Sequence, residues 1–135
     1  MTESNQDFTH AVTTRWIDSD AFGHVNNAVF LTYLEEARDA WFLEYLGRRE
    51  IYIVARIEIN FLHELSLDAR HVVVEISPVQ IGRKSIVLSE TAYVADGGDA
   101  LTRSLTTVVR WDMEARRTVE LTDAERTVLR PLVRT

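Results

Sequence analysis

The spacing of apolar and polar residues changes along the chain and marks out one long helix among strands. Residues 8–17 mix threonine, valine, tryptophan and isoleucine, a composition typical of a strand. From Val25 to about Leu46 the apolar positions recur at helical spacing. The polar positions of this segment form one narrow stripe: Thr32, Glu35, Glu36 and Asp39. So wide an apolar surface predicts a helix that other elements largely wrap, with Gly47 as its C-terminal cap.

After this helix the spacing becomes that of β-strands. Four apolar residues alternate with Arg56, Glu58 and Asn60: Ala55, Ile57, Ile59 and Phe61. This alternation predicts a half-buried antiparallel strand. Further strands are predicted over residues 71–77, 85–95 and 101–111, the last with its odd-numbered apolar residues on one face. The Asp-Gly-Gly-Asp sequence at residues 96–99 predicts a hairpin turn before the last strand.

The C-terminal segment carries the signature of a short helix. Thr122 is followed three residues later by Glu125, which is the spacing of a capping box, and Pro131 limits the helix.

The order of one strand, a long helix and then several strands predicts an α+β fold in which the central helix packs against a curved antiparallel sheet. Residues 1–135 are expected to form one domain, and so small a two-layer domain favours pairing with a second subunit.

Composition narrows the possible partners. The formal net charge of −6 argues against general affinity for nucleic acid, and an anionic ligand would need a local basic patch. The chain has no cysteine, which excludes disulfides, thiolate metal sites and a cysteine nucleophile. The N-terminus lacks the basic and apolar regions of a signal peptide, and no apolar run is long enough to span a bilayer. We therefore expect a cytoplasmic protein without a membrane anchor.

The densest polar segment lies where the first strand ends and the long helix begins. Between Asp18 and Asn27 the chain reads Asp-Ser-Asp-Ala-Phe-Gly-His-Val-Asn-Asn. Polar side chains this dense are costly to bury without a purpose, and a helix start supplies backbone N–H groups for a developing negative charge. A candidate acid or base and backbone N–H groups therefore meet at one place in the chain.

This motif, with the Tyr33 and Glu-Glu-Ala-Arg residues that follow, resembles the hotdog-fold acyl-CoA thioesterases, in particular the 4-hydroxybenzoyl-CoA thioesterase-like group. The resemblance implies a hotdog fold, an acyl-CoA substrate, no cofactor beyond the coenzyme A of the substrate, and a homodimer or homotetramer. It also implies that Asp20 is catalytic and that amides near Asn26 and Asn27 polarise the thioester carbonyl. The His-Val-Asn-Asn sequence is also similar to plant-type carrier-protein thioesterases, although Phe22 stands where those enzymes have asparagine.

The residues themselves leave several roles open. Asp20 can act as a nucleophile or as a general base, whereas Asp18 is expected to shape the turn. His24 can orient Asp20, bind substrate or tune the carboxylate electrostatically. Gly23 allows a positive φ or a close approach of substrate to the backbone. Asn26 and Asn27 are suited to capping the helix or to orienting water.

A second candidate region is the basic turn that contains Arg83 and Lys84, just before a predicted strand. These side chains are candidates for binding the phosphates of coenzyme A, and a solvated turn is the alternative. A phosphate loop is excluded because its glycine spacing is missing.

Other functional classes fit the sequence less well. A calcium loop would need a bidentate glutamate where this chain has Val29, no transition-metal site is expected, and no Gly-x-Ser-x-Gly motif of a serine hydrolase occurs. Two alternatives stay open: an enoyl-CoA hydratase-like enzyme, whose aspartate and histidine are usually one residue further apart, and a non-catalytic acyl-thioester binding module.

Overall fold

The computed structural model describes residues 7–66, 68–95 and 97–134 and confirms the α+β arrangement. The strands are β1 (Phe8–Thr13), β2 (Tyr52–Phe61), β3 (His71–Ile81), β4 (Ser85–Val94), β5 (Thr102–Asp112) and β6 (Arg117–Thr118). The helices are α1 (Asn27–Leu46) and α2 (Asp123–Leu129). Asp96, the first residue of the predicted hairpin turn, lies outside the described residues, as does the N-terminal segment 1–6.

The strands form one antiparallel sheet against which α1 packs. The strand order is β1-β3-β4-β5-β2, and β6 pairs with β5, so β1 and β2 lie at opposite edges. Bulges interrupt the register between Val54 and Arg56 in β2 and between Pro78 and Gln80 in β3. Because a bulge bends its strand and increases the local twist, these irregularities help the sheet curve around the helix.

Helix α1 begins two residues later than the apolar spacing indicates, because Val25 is still extended and donates its N–H to the Leu65 carbonyl. It ends as predicted at Gly47, whose φ of 73° allows the left-handed cap. Its buried side chains are Phe30, Tyr33, Leu34, Ala37, Arg38, Trp41 and Phe42. The aromatic and aliphatic members of this set form the core with the inner faces of β3 and β4.

One member of that buried set is charged. Arg38 lies 2% exposed and donates from Nη1 to both carboxylate oxygens of Glu90 on β4, at 3.2 and 3.0 Å. Thr106 and Ser104 on β5 also donate to Glu90 Oε1, at 2.8 and 3.2 Å. Burial raises the pKa of Glu90, and these donors and the Arg38 charge only partly oppose that effect.

This polar cluster explains which face of β5 meets the helix. The odd-numbered residues of β5 do share a face, but it is the outer one, and Leu105 there is 43% exposed. The inner face instead carries Thr102, Ser104 and Thr106, all buried. Hydroxyl groups at positions 104 and 106 satisfy the acceptor atoms of Glu90, which an apolar inner face would leave unpaired.

Strand β2 is the less protected edge of the sheet. It pairs only with β5 among the described strands, and several large apolar side chains along or just after it stay exposed: Ile53, Val54, Phe61 and Leu62.

At the C-terminal end of the chain, the predicted capping box is confirmed, since Thr122 and Glu125 exchange hydrogen bonds at the start of α2.

We expect the Arg38–Glu90 pair to show strong coupling in unfolding experiments. Glu90→Leu leaves a buried guanidinium without its carboxylate, and the free energy of unfolding should fall by about 3–5 kcal/mol. The double variant Arg38→Met/Glu90→Leu removes both charges and should recover most of that loss. Urea denaturation of the wild type, both single variants and the double variant measures this coupling. A double variant no more stable than Glu90→Leu would contradict it.

Candidate functional site

Two loops run side by side over the start of α1 and together form the candidate site. The first, residues 14–26, connects β1 to α1, and the second, of which residues 62–66 and 68–70 are described, lies between β2 and β3. Val25 donates its N–H to the Leu65 carbonyl at 2.9 Å, and His24 forms an antiparallel bridge with Ser66. The polar motif is therefore held against a second segment of the chain, as well as against the helix.

Asp20 occupies a tight turn within the first loop. Its N–H donates to the His24 carbonyl at 2.9 Å, and its Oδ1 accepts the N–H of Phe22 at 2.9 Å. Gly23 closes the turn with a φ of 86°, the positive value that the sequence allowed for. The second carboxylate oxygen, Oδ2, makes no hydrogen bond with any described residue. The turn thus fixes Asp20 by one oxygen and leaves the other available.

The two asparagines differ in what they contact. Asn26 is the N-cap, and its side-chain oxygen accepts the N–H of Ala28 at 2.7 Å. The N–H of Val29 is also satisfied, by the Asn26 carbonyl at 2.9 Å. In contrast, the N–H of Asn27 makes no hydrogen bond with any described residue. Asn27 therefore presents an unpaired donor at the positive end of the helix dipole.

A cavity of about 180 Å³ opens beside this donor. Its wall is formed by His24, Val25, Asn27, Phe30, Phe61, Leu62, His63 and Glu64. Polar groups lie at the helix start, and aromatic rings form the inner part, where Phe30 and Phe61 meet edge to face at 6.2 Å. Asp20 lies on the adjoining turn. The cavity can therefore hold a small apolar group next to hydrogen-bonding side chains.

The His24 side chain is held between two neighbours. Its Nε2 lies 3.6 Å from Glu64 Oε2, and its ring lies nearly parallel to that of Phe22, with centroids 6.2 Å apart. Glu64 belongs to the second loop. The sequence motif did not include this loop, because residues that follow β2 carry no spacing signal that links them to the helix start.

Asp18 has a structural position, as the sequence analysis expected. Its buried carboxylate accepts hydrogen bonds from the Tyr33 hydroxyl at 2.5 Å and from the Arg15 guanidinium at 2.9 and 3.2 Å. Burial alone would raise the pKa of Asp18, but the bonds from Tyr33 and Arg15 outweigh burial and lower it. The pKa of Tyr33 is raised in turn by burial and by the carboxylate. The ionised Asp18 thus ties the first loop to α1.

Arg83 and Lys84 lie at the other end of the sheet within this chain. Thr13 pairs with His71 at one end of β3, whereas the turn with Arg83 follows Ile81 at the other, about 30 Å away by strand geometry. The Arg83 guanidinium donates to Glu120 at 2.7 Å, and Arg126 donates to the Gly82 and Arg83 carbonyls. The turn therefore supports the C-terminal helix.

Neither a metal site nor a membrane-spanning helix is found among the described residues. No three histidine or acidic side chains there come together in a way that would hold a metal ion. None of the described helices combines the length and apolar character needed to cross a bilayer.

Comparisons with known proteins agree on one family. Residues 12–129 match the model of the Thioesterase-like superfamily. A thioesterase from Thermus thermophilus, solved in complex with coenzyme A and Zn, is 31% identical, with 92% of each chain covered and a TM-score of 0.80. A thioesterase superfamily protein from Jannaschia sp. CCS1 is 19% identical and shares the fold over 100% of this chain and 99% of its own, with a TM-score of 0.88. No curated protein matches the chain significantly.

The contacts of Asp18 lead to a pH-dependent stability. A lowered folded-state pKa contributes stability that is fully present above the unfolded value, near 3.9, and is lost as pH falls through the folded value. Asp18→Asn should therefore lower the free energy of unfolding at pH 7 by about 1–3 kcal/mol, and the difference from wild type should shrink as the pH falls below about 4. Urea denaturation across this range measures it. Glu114→Gln, at an exposed turn, is the control. If the difference in the free energy of unfolding between Asp18→Asn and wild type stays constant with pH, the ionisation of Asp18 does not stabilise the fold.

Proposed function

This chain belongs to the thioesterase-like superfamily and is a thioester hydrolase, and we propose that it hydrolyses acyl-CoA thioesters to the free acid and coenzyme A. The observation that carries this proposal is the unpaired Asn27 N–H in a cavity wall that also contains His24, with Asp20 on the adjoining turn. These groups correspond to an oxyanion donor, a supporting imidazole and a carboxylate.

The Asn27 N–H is the proposed oxyanion donor. When a nucleophile adds to the thioester carbon, negative charge develops on the carbonyl oxygen. A backbone N–H at a helix start is already oriented and carries the partial positive charge of the helix end, so no reorganisation is needed to stabilise that oxygen. Asn26 has a supporting role, because its side chain caps the helix and satisfies the neighbouring Ala28 N–H.

Asp20 is the proposed catalytic carboxylate, either as general base or as nucleophile. As a base, its free Oδ2 takes a proton from water and the hydroxide adds to the carbonyl carbon. The C–S bond then breaks, and the departing sulfur takes the proton from Asp20 to leave as the thiol of coenzyme A. As a nucleophile, it forms an anhydride that water then hydrolyses. Gly23 lets the turn aim Asp20, because its positive φ is a backbone conformation that other residues rarely adopt.

His24 is the proposed supporting residue. Its imidazole shares the cavity with Asn27 and faces Glu64, so it can donate a hydrogen bond to the substrate or to the attacking water. The coenzyme A in the related Thermus thermophilus structure supports the choice of a coenzyme A thioester as substrate. The absence of a separate cofactor and a cytoplasmic location remain predictions.

We propose that two copies pair through their β2 edges. An open strand edge with exposed Ile53 and Val54 favours addition of another strand, and a two-fold antiparallel pairing leaves no open edge there. Such a pairing sets the end of β2 near Phe61 beside the opposite end of the second copy. Arg83 and Lys84 of that copy are therefore candidates for the phosphates of coenzyme A, and a tetramer of two such pairs is the alternative.

The catalytic proposal is tested at Asp20. Asp20→Asn keeps the size and the Oδ1 acceptor but removes the base, so kcat/KM for acyl-CoA should fall by about 10²-fold or more. Thiol release across short, medium, long and aromatic acyl-CoAs measures this, with Asp123→Asn on α2 as the control. Unchanged hydrolysis by Asp20→Asn would contradict the assignment of Asp20 as the catalytic carboxylate. Conversion of an enoyl-CoA without thiol release would indicate a hydratase, and binding without turnover a binding module.

The assembly proposal is tested on the β2 edge. Val54→Lys puts a charged side chain on each paired edge and should give a monomer of 15.5 kDa in light scattering, while the wild type has at least twice that mass. The control is Val128→Lys on α2, a helix that packs against α1 and β3, and it should leave the mass unchanged. A wild-type monomer, or an intact assembly of Val54→Lys, would contradict pairing through β2.

A further inference from the structure

A second concave site lies on the same pair of loops, on the side away from β2. It is a groove of about 420 Å³ lined by Thr13, Thr14, Arg15, Trp16, Arg70 and His71. These residues come from the end of β1, the start of the first loop and the junction of the second loop with β3. The volume lies in the range typical of small-ligand sites.

The side chains of the groove combine an aromatic surface with positive charge. Trp16 is 85% exposed, an unusual position for so large an apolar side chain. Arg70 and His71 are exposed too, and their side chains make no hydrogen bond or ion pair with any described residue. The Arg15 guanidinium is held by the buried Asp18, and the exposed Asp68 is the nearest other carboxylate along the second loop. In a chain of net charge −6, this is a local basic patch.

The groove is also built from fixed segments. Thr14 donates its N–H to the Arg70 carbonyl at 2.9 Å, and its hydroxyl donates to the Ala69 carbonyl at 2.8 Å. These bonds join the backbone that carries Trp16 to the backbone that carries Arg70. The backbone segments that carry the indole and the guanidinium are therefore joined before any ligand arrives.

From these features we infer that the groove binds the 3′-phosphorylated adenine nucleotide of coenzyme A. The exposed indole provides a face on which a planar base stacks, and Arg70 with His71 provides donors for phosphate oxygens. The inference rests on the proposed function and names the part of the substrate that distinguishes coenzyme A from a carrier-protein thioester, which lacks the adenine nucleotide.

The position of the groove relative to the helix start supports this. Asp18, two residues after Trp16, accepts the N–H of Asn26 through its carbonyl. The first loop contributes Trp16 to the groove and His24 to the 180 Å³ cavity, and Asp20 lies between these two residues in the sequence. A thioester at the Asn27 N–H can extend its coenzyme A into the groove of the same chain, and this arrangement is the alternative to phosphate binding by Arg83 and Lys84 of a second copy.

The kinetic experiment compares an acyl-CoA with the matching acyl-pantetheine, which has no nucleotide. The wild type should show a KM about tenfold or more lower for acyl-CoA. Arg70→Gln should raise KM for acyl-CoA by about tenfold, leave KM for acyl-pantetheine unchanged, and leave kcat unchanged for both. The control is Arg130→Gln, an equal change of charge on the exposed C-terminal segment near the other end of β3. Equal KM values for the two wild-type substrates, or an equal effect of Arg70→Gln on both, would overturn the inference.

A direct titration separates this inference from the catalytic proposal. Adenosine 3′,5′-bisphosphate should quench the fluorescence of Trp16, and the quenching should disappear in Trp16→Phe and weaken about tenfold in Arg70→Gln. Since both side chains are exposed, the variants should keep the wild-type circular dichroism. If the wild type hydrolyses neither thioester, the proposed function fails, but this titration still tests whether the groove binds the nucleotide. If no quenching occurs, or if Arg70→Gln binds the nucleotide as tightly as the wild type, the groove is not the nucleotide site.

Discussion

The ion pair between Arg38 and Glu90 is the interaction on which the arrangement of helix and sheet depends. A buried guanidinium and a buried carboxylate tolerate each other only at short distance. Glu90 therefore fixes the rotation and the height of α1 over β4, because any shift of the helix would separate the charges. It also requires hydroxyl donors on β5, which is why Ser104 and Thr106 occupy an inner face that would otherwise be apolar.

A helix fixed in this way also has a fixed start, and the candidate site is built on that start. A second buried charge lies in the loop that precedes the helix. The Asp18 carboxylate accepts hydrogen bonds from Tyr33 and Arg15 and so anchors the first loop to α1. The second loop then packs beside the first through the Val25–Leu65 hydrogen bond. Each of the two concave surfaces takes residues from both loops, so the proposed chemistry at the helix start and the proposed nucleotide binding rest on the same contacts.

Much of the fold was predictable because periodicity reports burial directly. The polar stripe of α1, the Gly47 cap and the Thr122–Glu125 capping box all follow from local rules, and the structure confirms them. Local rules failed where a long-range contact intervened. Arg38 lies in a run of helical residues with nothing to indicate burial, because its partner is 52 residues away. The extended conformation of Val25 likewise depends on Leu65, which sequence spacing does not connect to the helix.

The sequence by itself determined the α+β class, the position of the polar motif at a helix start and the thioesterase resemblance, because these depend on neighbouring residues and on their spacing. The tertiary structure alone decided how the motif divides its work: Asn26 caps the helix, the Asn27 N–H makes no hydrogen bond with any described residue, and Glu64 faces His24. It also brought Trp16 and Arg70 to one groove. The physical reason is that a hydrogen bond or a cavity wall is defined by separation in space, and chain folding brings together residues whose order in the sequence carries no record of that contact.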